Sequence, residues 1–201
     1  MQVPLISVGI LSGKEIEFSF PIKFISSDET ESSGMQKAIY RDGKIHWQGK
    51  EYNELSFTPQ QGAPAFFELK DVTITGNKGT YGGGVSIDKK SNVTFTDCTI
   101  TGNEAARNGG GIYAKGGSTV TVNGGSISGN SAAGTPWGTS GGGGIYAEGG
   151  STVNLNDTTI ADNHVTGNYG SGGGVRVNNG TLSADHVKIL ENTTNSNGGG
   201  I

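Results

Sequence analysis

The sequence predicts an all-β chain, a single-stranded right-handed parallel β-helix with three short strands per coil, preceded by a small antiparallel β unit. Three observations carry this. An Ile-x-x-Asn phrase recurs at Ile74, Ile100, Ile127, Ile160 and Ile189, in steps of 26, 27, 33 and 29 residues, the spacing of a solenoid or array. Between these anchors apolar and polar residues alternate, as in Val93-Thr94-Phe95 and Val120-Thr121-Val122, which is the period of half-buried strands and not of helices. Length varies chiefly in one place, between the asparagine and the glycine triplet. Four residues separate Asn77 from Gly82 but eleven separate Asn130 from Gly142, Pro136-Trp137 among them, and insertions collect in surface loops because they leave stacked strands untouched.

The bulk composition narrows the classes. With 32% hydrophobic residues and 37 glycines, the chain is too poor in apolar residues for an ordinary packed globule, yet their fixed spacing excludes disorder. A net charge of −4 without charge runs gives no electrostatic reason to expect nucleic acid or anionic lipid. A single cysteine, Cys98, rules out an intrachain disulfide framework and a cysteine metal cluster. The apolar run Val3 to Leu11 contains Pro4 and is too short to span a membrane. With no basic residue before it, it also makes a poor secretion signal.

In chain order, residues 1–62 read as the β-rich N-terminal unit or cap. Ile6 to Leu11, Glu15 to Phe20 and Ile22 to Ile25 read as short strands parted by Ser12-Gly13 and Pro21. Residues 26–35, rich in Ser and Glu, read as an exposed loop. Asp42-Gly43 between two apolar runs is a hairpin signal, and Pro59 to Gly62 closes the unit as a linker. The stretch Ile6-Ser7-Val8-Gly9-Ile10, with Gly43-Lys44-Ile45-His46-Trp47-Gln48-Gly49 and Tyr52 to Gln60, resembles the start of the SpoIID/LytB sporulation-protein family. That likeness implies a bacterial cell-envelope context. It carries over no catalytic residue.

Residues 63–201 hold the coils. Four inward columns are expected: Val85, Ile112, Ile145, Val175 and Ile201; Phe67, Val93, Val120, Val153 and Leu182; Leu69, Phe95, Val122, Leu155 and Ala184; and the five isoleucines before the asparagines. Each coil stacks about 4.8 Å above the last, so every turn buries a face that it could not bury alone. The pairing of Gly-Gly-Gly-Ile/Val with Ile-x-x-Asn resembles the GGA[IV] and FxxN repeats of chlamydial polymorphic outer-membrane proteins and related autotransporter passengers, with Gly replacing Ala and Ile replacing Phe. The resemblance implies a surface-exposed adhesin in the bacterial envelope, reached by a route that this chain does not display. The chain stops at Gly198-Gly199-Gly200-Ile201, the opening of another coil, so its C-terminal edge is expected to be continued by further repeats or covered by another chain.

Candidate site residues follow from the columns. Asn77, Asn103, Asn130, Asn163 and Asn192 are expected to form a structural amide ladder at a coil corner, because a buried amide must have its hydrogen bonds met. The glycine triplets lack the Lys-Ser/Thr of a phosphate loop and precede strands, so tight turns or close backbone approach explain them. On the strand after each triplet, Ser86, Tyr113, Tyr146 and Arg176 point outward, with Asp88, Lys115, Glu148 and Asn178 two residues on. Tyr113, Tyr146, Lys115 and Arg176 are the expected ligand-binding residues, the tyrosines as a platform for a glycan or host-surface ligand. Asp88 and Glu148 are the one candidate catalytic pair, since a glycosidase needs two carboxylates about 5–10 Å apart. Alternating charge of this kind also makes an ordinary surface ladder. No metal or cofactor is expected: Asp71, Asp97 and Asp157 read as turn formers, Cys98 as a half-buried filler, and His46, His164 and His186 lack ligand spacing. Two functions remain, a non-catalytic adhesin or scaffold and a carbohydrate-active lyase or hydrolase.

Overall fold

The computed structural model describes residues 6–8, 15–26, 31–41, 44–52, 57–59, 66–134 and 141–201, with side chains before residue 66 described only for 46–51. Every described element is a strand, and none is a helix able to cross a membrane. From Phe66 onward the chain winds as a parallel β-helix. The long strands Phe66–Lys70, Asn92–Thr96, Thr119–Asn123, Thr152–Asn156 and Thr181–Asp185 stack in register to form one sheet. The short strands carrying the isoleucines form a second sheet, and Ile100 sits between Ile74 and Ile127, with Ile160 next. The strands after the triplets, Val85–Ile87, Ile112–Ala114, Ile145–Glu148 and Val175–Asn178, form a third, which we call the triplet sheet.

The three expected strands per coil are joined by a fourth. Lys78–Tyr81, Glu104–Asn108, Ser131–Ala132, His164–Val165 and Thr193–Thr194 follow the asparagines and stack as a closing sheet. Some of these strands are only two residues long, too short to show a period. Their inward residues Ala105, Ala132 and Val165 form a small core of their own. The main core unites the predicted columns with a further one, Ile87, Ala114 and Ala147, from the far end of each triplet strand. In the last coil Ala184 and Ile201, both at inward positions, are exposed, because no strand among the described residues covers that end.

At the N-terminal end the coil's own sheets continue into antiparallel strands. Glu15–Ser26 pairs with Phe66–Lys70, setting Ile16 opposite Leu69 and Phe18 opposite Phe67, while Ile6–Val8 pairs with Val85–Ile87. Glu15–Ser26 is one strand where two were expected, and its register shifts between Phe20 and Phe24, where Pro21 removes a ladder donor. The loop expected at 26–35 gives way to strand at Ser26 and from Glu31 onward, and 27–30 lie outside the described residues. Glu31–Arg41 is a strand along Glu15–Ser26, its backbone pairing outweighing a polar composition. Arg41 faces Lys44 across the Asp42-Gly43 step; those two residues and the linker at 60–62 lie outside the described residues, as do 135–140 of the long insertion.

Candidate functional site

Two stacked constellations distinguish this coil, one inside and one outside. Inside, the asparagines form the expected ladder. Asn130 Nδ2 donates to Ile100 O at 2.9 Å and to Asn163 Oδ1 at 3.0 Å, and Asn130 N donates to the same Oδ1 at 3.0 Å. Asn103 and Asn163 repeat this pattern one coil either side. These three amides are thus committed to backbone and to their neighbours, as a structural ladder requires.

The triplets divide their work by position. Gly109 turns the chain at φ 68, in the left-handed region. At Gly110 a Cβ would lie 2.3 Å from Gly143 O and 2.4 Å from Ser131 O, so the backbone of the next coil and the closing sheet require its absence. At Gly111 a Cβ would lie 2.7 Å from Gly144 O of the next coil and 3.2 Å from Asn130 Nδ2. The third glycine thus makes room both for the next coil's backbone and for the ladder amide, and triplet and asparagine recur together. At the Asp corner, Asp71, Asp97, Asp157 and His186 all have φ between 50 and 54, as turn formers do, and no group of metal-ligating residues occurs among the described residues.

Outside, the triplet sheet brings the predicted site residues into one row. Ser86, Tyr113, Tyr146 and Arg176 are register partners, and Glu148 pairs with Asn178. The ring of Tyr113 stacks on Tyr146 at 5.8 Å and meets Tyr81 in a tilted contact at 5.0 Å. Cations flank the row: Lys115 Nζ lies 6.0 Å from the Tyr113 centroid and the Arg176 guanidinium 5.9 Å from that of Tyr146. Both tyrosine hydroxyls donate to Glu148, Tyr113 through a short bond to Oε1 and Tyr146 to Oε2 at 3.3 Å. Asp88 Oδ2 lies 3.4 Å from Lys115 Nζ, and its Oδ1 accepts from Lys89 N at 2.7 Å.

This geometry corrects the expectation of an open aromatic platform. Tyr113 and Tyr146 are 3% and 1% exposed, because rings stacked 5–6 Å apart and tied to Glu148 cover one another. The row sets Asp88 and Glu148 two coils apart, about 10 Å of sheet and at the upper edge of the glycosidase range, with Lys115 between and each carboxylate engaged. Burial, then donation to Glu148, pushes the Tyr113 hydroxyl well above the usual phenol range, and burial raises Tyr146 as well. A phenol held protonated is a poor general base at neutral pH. Cys98 is fully buried where half-burial was expected, donating to Leu69 O at 3.2 Å, and burial raises its thiol.

Tyr81 and Arg107 belong to the row and were not predicted. Arg107 Cζ lies 5.5 Å from the Tyr81 centroid and its Nη1 donates to the Tyr81 hydroxyl at 2.7 Å. Tyr81 stands directly before Gly82 and Arg107 two residues before Gly109, positions that carry no repeated residue type.

A stacked parallel coil with an inner amide ladder and an outward face closed by its own hydrogen bonds defines the class, a β-solenoid repeat protein. The chain belongs to the right-handed β-helix region family, which it matches over residues 57–201. Comparison with curated proteins and with solved structures gave no significant match. Neither the autotransporter nor the SpoIID/LytB likeness receives support from these comparisons.

Proposed function

We propose that the chain is a non-catalytic binding scaffold of the adhesin kind, presented at the bacterial surface or secreted, which takes a glycan or host-surface ligand along the rim of its triplet and closing sheets. One observation carries the reading. The carboxylates that would do acid–base work are already spent, Glu148 on two tyrosine hydroxyls and Asp88 on Lys115 and the Lys89 amide. A site so closed upon itself offers rigid, charged edges, which suits recognition better than turnover. The repeat phrases that resemble those of autotransporter passengers point the same way, and the N-terminal likeness to SpoIID/LytB proteins fits a cell-envelope setting.

A glycan array followed by product analysis tests it. Binding without new sugar ends is the expected result. Release of new ends that disappears in the Asp88→Asn, Glu148→Gln double variant would overturn it in favour of a lyase or hydrolase.

A further inference from the structure

Tyr81 and Arg107 differ from the rest of the row in being open. Tyr113 and Tyr146 are buried, whereas Tyr81 is 36% exposed and Arg107 is exposed beside it. The pair is also built by a local irregularity. Along the closing sheet Gly79 pairs with Ala105 but Tyr81 pairs with Asn108, so the Arg107 strand carries one residue more than its partner. Bulges of this kind re-aim a side chain and concentrate next to functional sites. Here the extra residue falls at Ala106-Arg107, immediately before the residue register-paired with Tyr81.

The charges around the pair select its ligand. Lys78 and Glu104, the neighbouring outward residues of the closing sheet, neutralise each other at 2.8 Å. Arg107 has no carboxylate partner among the described residues. One of its nitrogens is used on the Tyr81 hydroxyl, which pins the guanidinium and leaves its remaining N–H groups for an incoming planar anion. The Tyr81 ring, braced from behind by Tyr113 at 5.0 Å, adds apolar surface against which the C–H face of a sugar ring packs. A carboxylate takes an Arg fork through two parallel hydrogen bonds, and a hydroxyl cannot.

We infer that Tyr81 and Arg107 form the binding point for a sugar that carries a carboxylate, the Arg107 guanidinium holding the anion and Tyr81 the ring. This rests on the reading of the chain as a glycan-binding scaffold. It moves the contact away from Tyr113, Tyr146, Lys115 and Arg176.

The test is titration calorimetry of the 201-residue chain with oligosaccharides ending in a uronic acid or in a sialic acid, each paired with its carboxyl-reduced, neutral form. At least one acidic sugar binds, and the arm that binds names the source of the carboxylate. Reduction to the neutral form weakens binding by about tenfold or more, as loss of charge-assisted hydrogen bonds does. Arg107→Gln has the same effect, Arg107→Lys loses most of the gain because it keeps the charge without the fork, and Tyr81→Ala weakens binding with the melting temperature close to that of the parent. Equal affinity for acidic and neutral forms overturns the inference. So does binding that survives Arg107→Gln and is lost in Lys115→Ala, in which case the scaffold reading stands. No binding to any glycan in this set or on the array removes both.

Discussion

The amide ladder inside the coil and the tyrosine row outside it use the same stacking geometry to opposite ends. In the ladder every level holds the same residue, and the three inner ones, Asn103, Asn130 and Asn163, make the same bonds and are fully buried. In the row every level but one changes residue, from Ser86 through Tyr113 and Tyr146 to Arg176, and the hydroxyls converge on a single Glu148. A uniform ladder propagates a fold, since each coil presents the next with an identical template. A varied row cannot template anything, but it can hold different groups at fixed spacing. Structure sits in the repetition and individuality in the departures from it.

The largest expected effect breaks the ladder. Asn130→Ala strands Asn103 N, Asn103 Nδ2 and Ile100 O in the core, and each buried group left unsatisfied costs about 1–3 kcal/mol. We expect a stability loss of at least about 3 kcal/mol by denaturant unfolding, and superimposable curves for variant and parent would refute the structural role. Next comes Gly110→Ala, whose Cβ meets two backbone oxygens that no rotamer change can move. Overpacking of this kind costs about 1–3 kcal/mol, here at the upper end. Gly102→Ala is its control: at φ 63 it has only Thr75 Oγ1 near, at 3.7 Å, and left-handed strain alone costs about 1–2 kcal/mol. If the two alanines cost the same, close backbone approach is not what selects the triplet's middle glycine.

How far the sequence carried the fold follows from the same contrast. The isoleucine, valine and asparagine columns were legible because they repeat, and they settled sheet, register and ladder in advance. The closing sheet was not, since Ser131–Ala132 and His164–Val165 offer two residues each and no alternation to count. At the outward face the sequence placed Tyr113 and Tyr146 in the right column but could not show them buried. Burial there depends on how Tyr81, Glu148 and the cations converge from four coils, and that is tertiary geometry with no signature along the chain. Arg107 was invisible for a related reason, because a bulge belongs to a pairing of strands and not to either strand alone.

A smaller effect sharpens the outer half of the comparison. Tyr113→Phe keeps the stack and removes one donor to Glu148, at a cost of about 1 kcal/mol near neutral pH. The pH dependence has a definite sign. Folding raises the Tyr113 and Tyr146 hydroxyls above their ordinary value of 10.0, so the unfolded chain loses these protons first as pH rises. Their contribution to stability is therefore whole below pH 10 and falls away above it. Unfolding titrations from pH 8 to 12 should show parent stability dropping past pH 10, with a shallower drop in the phenylalanine variant. Identical slopes would place the alkaline sensitivity elsewhere.

The smallest effect is expected where the row and ladder have no part. Cys98 and Thr158 occupy equivalent corners two coils apart, and both turn their polar atom inward to carbonyls: Cys98 Sγ to Leu69 O and Thr96 O, Thr158 Oγ1 to Asn156 O at 2.8 Å and Val122 O at 3.2 Å. The corner already accepts a hydroxyl in this coil geometry, so Cys98→Thr should change stability by less than about 1 kcal/mol, within the range of near-isosteric core changes. Cys98→Leu, which adds volume beside a fully packed column, should cost more. The native thiol, buried and with its ionisation disfavoured, should react with a thiol-specific reagent only at the rate of local opening, and quickly once the chain is unfolded. Fast labelling of the folded protein would mean that this corner opens independently of the columns on either side, and the coil would then not be the single cooperative stack that its registers describe.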